Sequence, residues 1–250
     1  MKPFPTPTTL TLWSSDAKAP VLSDSFLGGS APRLQKLYLK GIPFPGLRKL
    51  LFATDLVDHS FYDIPHSGYI SPEAMVVSLS ALIRLEKLYL RFRSPRSRAE
   101  RENRHPSPLT RVVFPALTWL RFRGDSEYLE DIMSRIDAPL LDDMGITFFN
   151  QPVFDTPQLR HFISRTGILR APDCARIESV FDHDYVTVEP LQMLSLGILC
   201  KPSDWQLSSL SQLYNSTLSP IPTLEHLEIH NRRKRKYWKG DMENVQWLEL

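Results

Sequence analysis

A chain of 250 residues is long enough for one or two ordinary domains, and 42% hydrophobic with 23% charged residues is a composition expected of a soluble globular protein. A formal net charge of +2 gives no global pull toward nucleic acid or membrane. No apolar run is long enough to span a bilayer, the N-terminus lacks the apolar stretch of a signal peptide, and Cys174 and Cys200 are too few for a disulfide framework, so a cytoplasmic or nuclear protein with reduced thiols is expected.

In chain order, Thr9-Leu10-Thr11-Leu12-Trp13 has the form of half a strand unit. Ser23 to Leu27 reads as a helical turn stopped by Gly28-Gly29, which is no phosphate loop because no Gly-Lys-Ser/Thr follows. Leu34, Leu37 and Leu39 then fill the phrase L-x-x-L-x-L. A short helix is expected over Pro45–Ala53, from Leu47, Leu50 and Leu51. A looser copy of the phrase follows at Leu56/His59/Phe61. Ser71 as N-cap, Pro72 in the first turn and the stripe Met75, Val76, Leu79, Leu82 and Ile83 predict the clearest helix. Leu85, Leu88 and Leu90 give the second full phrase. An insertion over 93–108, rich in arginine from Arg93 to Arg104, has too few apolar residues to bury itself.

Leu117, Leu120 and Phe122 repeat the phrase, and Ser126 opens a helix through Tyr128, Leu129, Ile132, Met133 and Ile136 that Asp137-Ala138-Pro139 ends. Looser copies sit at Leu141/Met144/Ile146 and Leu159/Phe162/Ser164, with Asp155 or Thr156 also able to cap a short helix. Ala175–Phe181 and Tyr185–Val188 alternate like strands about a turn at Asp182-His183-Asp184. Leu191, Leu194 and Leu196 resume the phrase, a capped helix is expected from Ser203 through Tyr214, and Leu224, Leu227 and Ile229 follow. A basic run over 231–240 precedes the last copy at Val245, Leu248 and Leu250.

The closing positions of these phrases fall 18 to 33 residues apart and average about 26, inside the leucine-rich-repeat range. The expected fold is therefore α/β: one irregular leucine-rich-repeat solenoid of about nine units over 1–250, with a curved parallel sheet on the concave side and short helices and loops outside. The chain closes on a repeat strand and opens on half of one, so it is expected to be truncated at both ends.

Alternation along each strand sends the leucines to the core and the residues between them to the concave face. In the N-terminal half that face would carry Lys36, Tyr38, Lys40, Lys87, Tyr89, Arg91, Trp119, Arg121 and Arg123. Tyr, Trp and Arg are the residue types enriched at protein-binding hot spots, although an ordinary solvated sheet would also carry mixed polar residues. The equivalent row of the C-terminal half carries Glu228 and Glu249, so the preference for an acidic partner is expected of the N-terminal half alone. His226, Glu228 and His230 share one strand face, but without a fourth ligand a solvated set is the plainer reading than a metal site. The run Arg232, Arg233, Lys234, Arg235 and Lys236 reads as a nuclear-import signal or a nucleic-acid patch, with a solvated rim loop the plainer reading because short basic clusters are frequent. No nucleophile–base pairing, phosphate loop or metal motif is present, so no catalytic residue, cofactor or metal is expected and the chain reads as a non-enzymatic binding module.

Several phrases resemble the repeat region of the large F-box-type protein family of mushroom-forming fungi. They are Phe26–Leu34, Gly41–Leu47, Gly68–Met75, Arg135–Pro139, Phe154–Leu159 and the closing Trp247-Leu248-Glu249-Leu250. The resemblance implies the target-recognition part of a ubiquitin-ligase receptor, docking on a cullin-type ligase only if an F-box lies upstream, since that helical segment is absent from this sequence. It carries no catalytic residues. The target protein is unknown and expected to be acidic, with no membrane association and nucleic acid the less favoured partner. The alternatives are a nuclear nucleic-acid-associated protein using the two basic loops, or a non-functional remnant of an expanded family.

Overall fold

The computed structural model describes residues 8–14, 33–43, 54–95, 110–166 and 194–199, the helical fragments 212–213 and 216–217, and the backbone of strands at 174–180, 185–190 and 226–232. The architecture is α/β, a mostly parallel sheet with few helices. Its strands are β1 (Thr9–Trp13), β2 (Lys36–Lys40), β3 (Asp58–Ile64), β4 (Lys87–Phe92), β5 (Val112–Val113), β6 (Trp119–Gly124), β7 (Ile136–Asp137), β8 (Asp143–Phe149), β9 (Cys174–Val180), β10 (Tyr185–Pro190), β11 (Leu194–Leu199) and β12 (His226–Arg232). The helices are α1 (Pro72–Ser80), α2 (Ser126–Arg135) and α3 (Pro157–Arg165).

The main sheet runs β1-β2-β3-β4-β6-β8-β11-β10-β9-β12. From β1 to β11 every pairing is parallel. β11, β10 and β9 are antiparallel, and β12 returns parallel to β9. The expected strand pair around residues 182–184 is the β9–β10 pairing, in the same sheet as the phrases. A separate two-stranded sheet joins β5 to β7. The expected helical place of Ile136 is corrected: its dihedrals are extended and it opens β7, so the β5–β7 pairing, rather than Pro139, takes over the backbone directly after α2.

The phrases explain the register. Leu37, His59, Leu88, Leu120 and Met144 lie opposite one another on successive strands, and Leu39, Phe61, Leu90, Phe122 and Ile146 form the next row. Both rows are buried, and their apolar members join Leu194 and Leu196 in one continuous core. Leu227 falls in β12, whose side chains lie outside the described residues. Onto the same core pack Met75 and Leu79 of α1, Leu129 and Met133 of α2, and Leu159 and Phe162 of α3. The helices therefore cover one face of the sheet.

The local signals for α1 act as expected. Ser71 is extended and its side-chain oxygen accepts the Ala74 N–H at 3.1 Å, with Pro72 at the first helical position. Asp125, one residue before the expected opening, is the N-cap of α2. The copy Leu159/Phe162/Ser164 is corrected: it lies in α3, not in a strand. The spacing L-x-x-L is also one helical turn, and Thr156-Pro157 starts a helix there. The expected helix over Pro45–Ala53, most of the 93–108 insertion, the 182–184 turn and most of the 203–214 helix lie outside the described residues.

Helix α3 is capped by a neighbour. Its N-cap Thr156 makes no capping bond, because its hydroxyl is engaged with Thr217 at 2.8 Å and Ser216 at 3.0 Å. The buried carboxylate of Glu130 on α2 instead accepts the N–H groups of Gln158 and Leu159, each at 2.8 Å. This charge-assisted pair fixes α3 against α2. Glu130→Ala is expected to cost about 1.5–3 kcal/mol, read as a lowered urea midpoint with an unchanged slope.

Candidate functional site

The face opposite the helices carries the residues between the phrase leucines, in three rows set by strand register. The first row reads Lys36, Asp58, Lys87, Trp119 and Asp143. The second reads Tyr38, Ser60, Tyr89, Arg121 and Gly145. The third begins with Trp13, Lys40 and Tyr62 and continues, past an irregularity in β3, to Arg91, Arg123 and Thr147. Lys36, Tyr38, Lys87, Tyr89, Arg91, Trp119, Arg121 and Arg123 are thus brought to one face, as the alternation predicts.

Acidic residues between them change the electrostatics. Arg121 forms a two-armed pair with Asp143, at 2.6 and 3.0 Å, and its guanidinium lies 4.7 Å from the Trp119 ring centre. Arg91 Nε lies 2.9 Å from an Asp63 carboxylate oxygen. Tyr38 donates to Asp58 at 2.8 Å, and that bond is the main reason the Tyr38 hydroxyl holds its proton more tightly than usual. Among the described residues, Lys36, Lys40, Lys87 and Arg123 make no ion pair. The surplus of positive charge is concentrated there.

Glycine has a specific use at position 145. A Cβ there would run into Arg121 Cδ, with Arg121 Nε at 2.7 Å. Arg121 lies across the glycine to reach Asp143. Gly145→Ala is expected to displace it and cost about 1 kcal/mol, the scale of a half-exposed pair. The check is a double-mutant cycle: adding Asp143→Asn to Gly145→Ala should bring little further loss in urea melts.

The aromatic residues form a diagonal stack. The Tyr62 and Tyr89 rings are 4.5 Å apart and inclined by 27°, and Tyr89 and Trp119 are 6.2 Å apart and inclined by 21°. Burial is the largest cause, and Tyr89 the second, of a raised Tyr62 hydroxyl pKa. Tyr89 thus has a near-parallel ring on either side, Tyr62 and Trp119.

Tyr62, Asp63 and Trp13 are the members that sequence reasoning missed. Trp13 is 74% exposed and lies opposite Lys40 at the end of β1, on the same row as Tyr62. Parity along β1 and β3 could have found Trp13 and Tyr62. Asp63 could not have been found, since its backbone is in the left-handed region at φ 53, where the pairing of β3 with β4 shifts.

Arg232 closes β12, and Arg233, Lys234, Arg235 and Lys236 lie outside the described residues. The side chains of His226, Glu228 and His230 do so too. Among the described residues no three histidine, cysteine or carboxylate side chains converge on a metal-sized space, and no helix is long and apolar enough to cross a membrane. An apolar void of about 20 Å³ lies between the sheet and helices, lined by Leu79, Leu88, Leu120, Phe122 and Met133 among others, which is room for one water and not for a ligand. Comparison with family models, with curated proteins and with solved structures yields no match to this chain.

Proposed function

We propose that the sheet face opposite the helices is a protein-recognition surface, and that the chain is an irregular leucine-rich-repeat solenoid forming the target-recognition region of an F-box-type ligase receptor. The observation that carries the recognition reading is the diagonal stack of Tyr62, Tyr89 and Trp119, set beside Lys40, Lys87 and Arg123, which make no ion pair among the described residues. Such a face favours an acidic protein segment, both by charge complementarity and by faster encounter. In-register parallel strands spaced about one repeat apart support the solenoid. The receptor role rests on the resemblance of the quoted phrases alone, and joining a cullin-type ligase requires an F-box upstream. Binding rather than catalysis is the role these residues suit.

A nucleic-acid surface is the weaker reading. Base recognition on a sheet needs open aromatic faces. Here the faces of Tyr89 are turned to Tyr62 and Trp119.

The test is fluorescence anisotropy with two labelled probes, a ten-residue peptide alternating glutamate and tyrosine and a ten-nucleotide single strand. The peptide should bind, and Trp119→Ala/Lys87→Glu should weaken it about tenfold, while Glu73→Lys on α1 should leave it unchanged. Tighter binding of the oligonucleotide, or equal loss in both variants, overturns the reading.

A further inference from the structure

We propose that Arg91 and Arg123 form a carboxylate-binding subsite at the C-terminal end of β4 and β6, which takes an aspartate or glutamate side chain of an acidic segment lying on this face. The proposal rests on the recognition reading above and names the group that anchors the partner.

Arg91 and Arg123 are register partners on neighbouring parallel strands, so their backbones are about 4.8 Å apart. Two guanidinium groups placed so close repel each other unless carboxylates intervene. Only Asp63 does so among the described residues, and it sits on Arg91, with its oxygen 2.9 Å from Nε. A left-handed backbone at φ 53 delivers it there, a region that aspartate enters more readily than most side chains.

Arg123 is left over. Its guanidinium lies 5.9 Å from the Phe149 ring centre and makes no ion pair among the described residues, while its Nε–H, like that of Arg91, is buried without a hydrogen bond of ordinary geometry. Burial first, and the charge of Arg91 second, lower the pKa of Arg123, while Asp63 and Tyr89 act in the opposite sense. The unbalanced charge would be relieved by one incoming carboxylate, which meets the terminal N–H groups of the guanidinium rather than the buried Nε–H. Two arginines against one aspartate leave a single positive charge. That matches a carboxylate better than a phosphate, and the planar guanidinium matches its two oxygens. Tyr89, two residues before Arg91 on β4, stands on the same face of the sheet.

The experiment follows arginine Nε–H resonances of the ¹⁵N-labelled full chain during titration with glutarate and, separately, with inorganic phosphate. The anisotropy assay with the glutamate–tyrosine peptide is run alongside on wild type, Arg123→Gln and Arg123→Lys. A saturable glutarate shift of the Arg123 signal is expected, with a smaller response to phosphate. Arg123→Gln should weaken the peptide about tenfold, and Arg123→Lys, which keeps the charge but loses the fork, by an intermediate factor. A stronger response to phosphate overturns the carboxylate assignment. Peptide binding that survives Arg123→Gln within twofold but is lost in Trp119→Ala/Lys87→Glu overturns the subsite and leaves the recognition face standing. A glutarate shift at Arg123 without any peptide binding overturns the recognition face and the acidic-segment occupant with it, leaving only an anion site. Unchanged urea midpoints for the two Arg123 variants establish that the comparison reads binding and not folding.

Discussion

Acidifying the protein from pH 7 to pH 4 is expected to remove roughly 3 kcal/mol of stability through His59 alone. His59 stands where neighbouring strands place Leu37 and Leu88, and it has no solvent exposure. Its ring meets Phe61 edge-on, with centroids 4.1 Å apart, and neither ring nitrogen makes a hydrogen bond of ordinary geometry. Burial drives its pKa down to about 3 from 6.5, and the nearby Leu37 backbone only partly opposes this. The folded state therefore holds a neutral imidazole while the unfolded chain accepts a proton. Stability is full above the unfolded value and is lost as the pH falls below 6.5, until the folded form itself protonates near 3. His59→Leu should abolish this component and raise stability at pH 7 by about 1–3 kcal/mol, since a buried polar ring without partners is replaced by the residue type its register neighbours carry. Urea melts of both proteins at the two pH values provide the check. Carboxylates titrate in the same range in each, so the difference between the proteins isolates His59. Parallel losses in the two proteins would refute the assignment.

The largest loss from a single side chain is expected at Phe92. It closes β4, is fully buried, and stands at the centre of the aromatic interior. Tyr69 stacks on it at 4.3 Å, Tyr128 meets it at 4.8 Å and 70°, and Phe122 at 6.1 Å and 65°. Tyr128 is itself tied down, donating to the Ile70 carbonyl at 3.0 Å. With its neighbours held by their own contacts, the space cannot collapse when the ring is removed. Phe92→Ala is expected to cost about 3–5 kcal/mol, against about 1 kcal/mol for Phe92→Leu, both read as shifts in the urea midpoint. Similar costs for the two variants would mean that the site relaxes around either one.

The strands were legible because their signal is repeated. A phrase such as Leu85-Glu86-Lys87-Leu88-Tyr89-Leu90 fixes both the strand and the face of every residue in it, and β2, β4, β6, β8 and β11 lie where their phrases predict. The start of α1 was legible for a different reason, since Ser71 and Pro72 act on the backbone directly beside them. The copy at Leu159/Phe162/Ser164 failed because three-residue spacing is shared by both periodicities, and the deciding groups, Pro157 and the carboxylate of Glu130, include one from another helix. The composition of the candidate face was readable from parity, but its charge balance was not. Asp143 could be placed on the face, yet its grip on Arg121 depends on the empty side of Gly145. Asp63 reaches Arg91 only because the backbone turns left-handed at that residue. Pairing of this kind is decided by three-dimensional geometry that no linear pattern encodes.

From β1 to β8, the order of strands in the main sheet follows their order in the chain, with only the short β5 and β7 stepping aside. Each strand therefore docks on the one made just before it, and no pairing in this stretch waits for a distant part of the chain. Such an arrangement can grow like a zipper from any adjacent pair, and it frays from its end rather than melting everywhere at once. Amide hydrogen exchange should record this as a slope. The slowest protons are expected at Leu88–Leu90 and Leu120–Phe122, with protection falling strand by strand through β3 and β2 to β1. A fault introduced near Trp13 would then loosen its own end of the row while leaving the Arg91–Arg123 end in place.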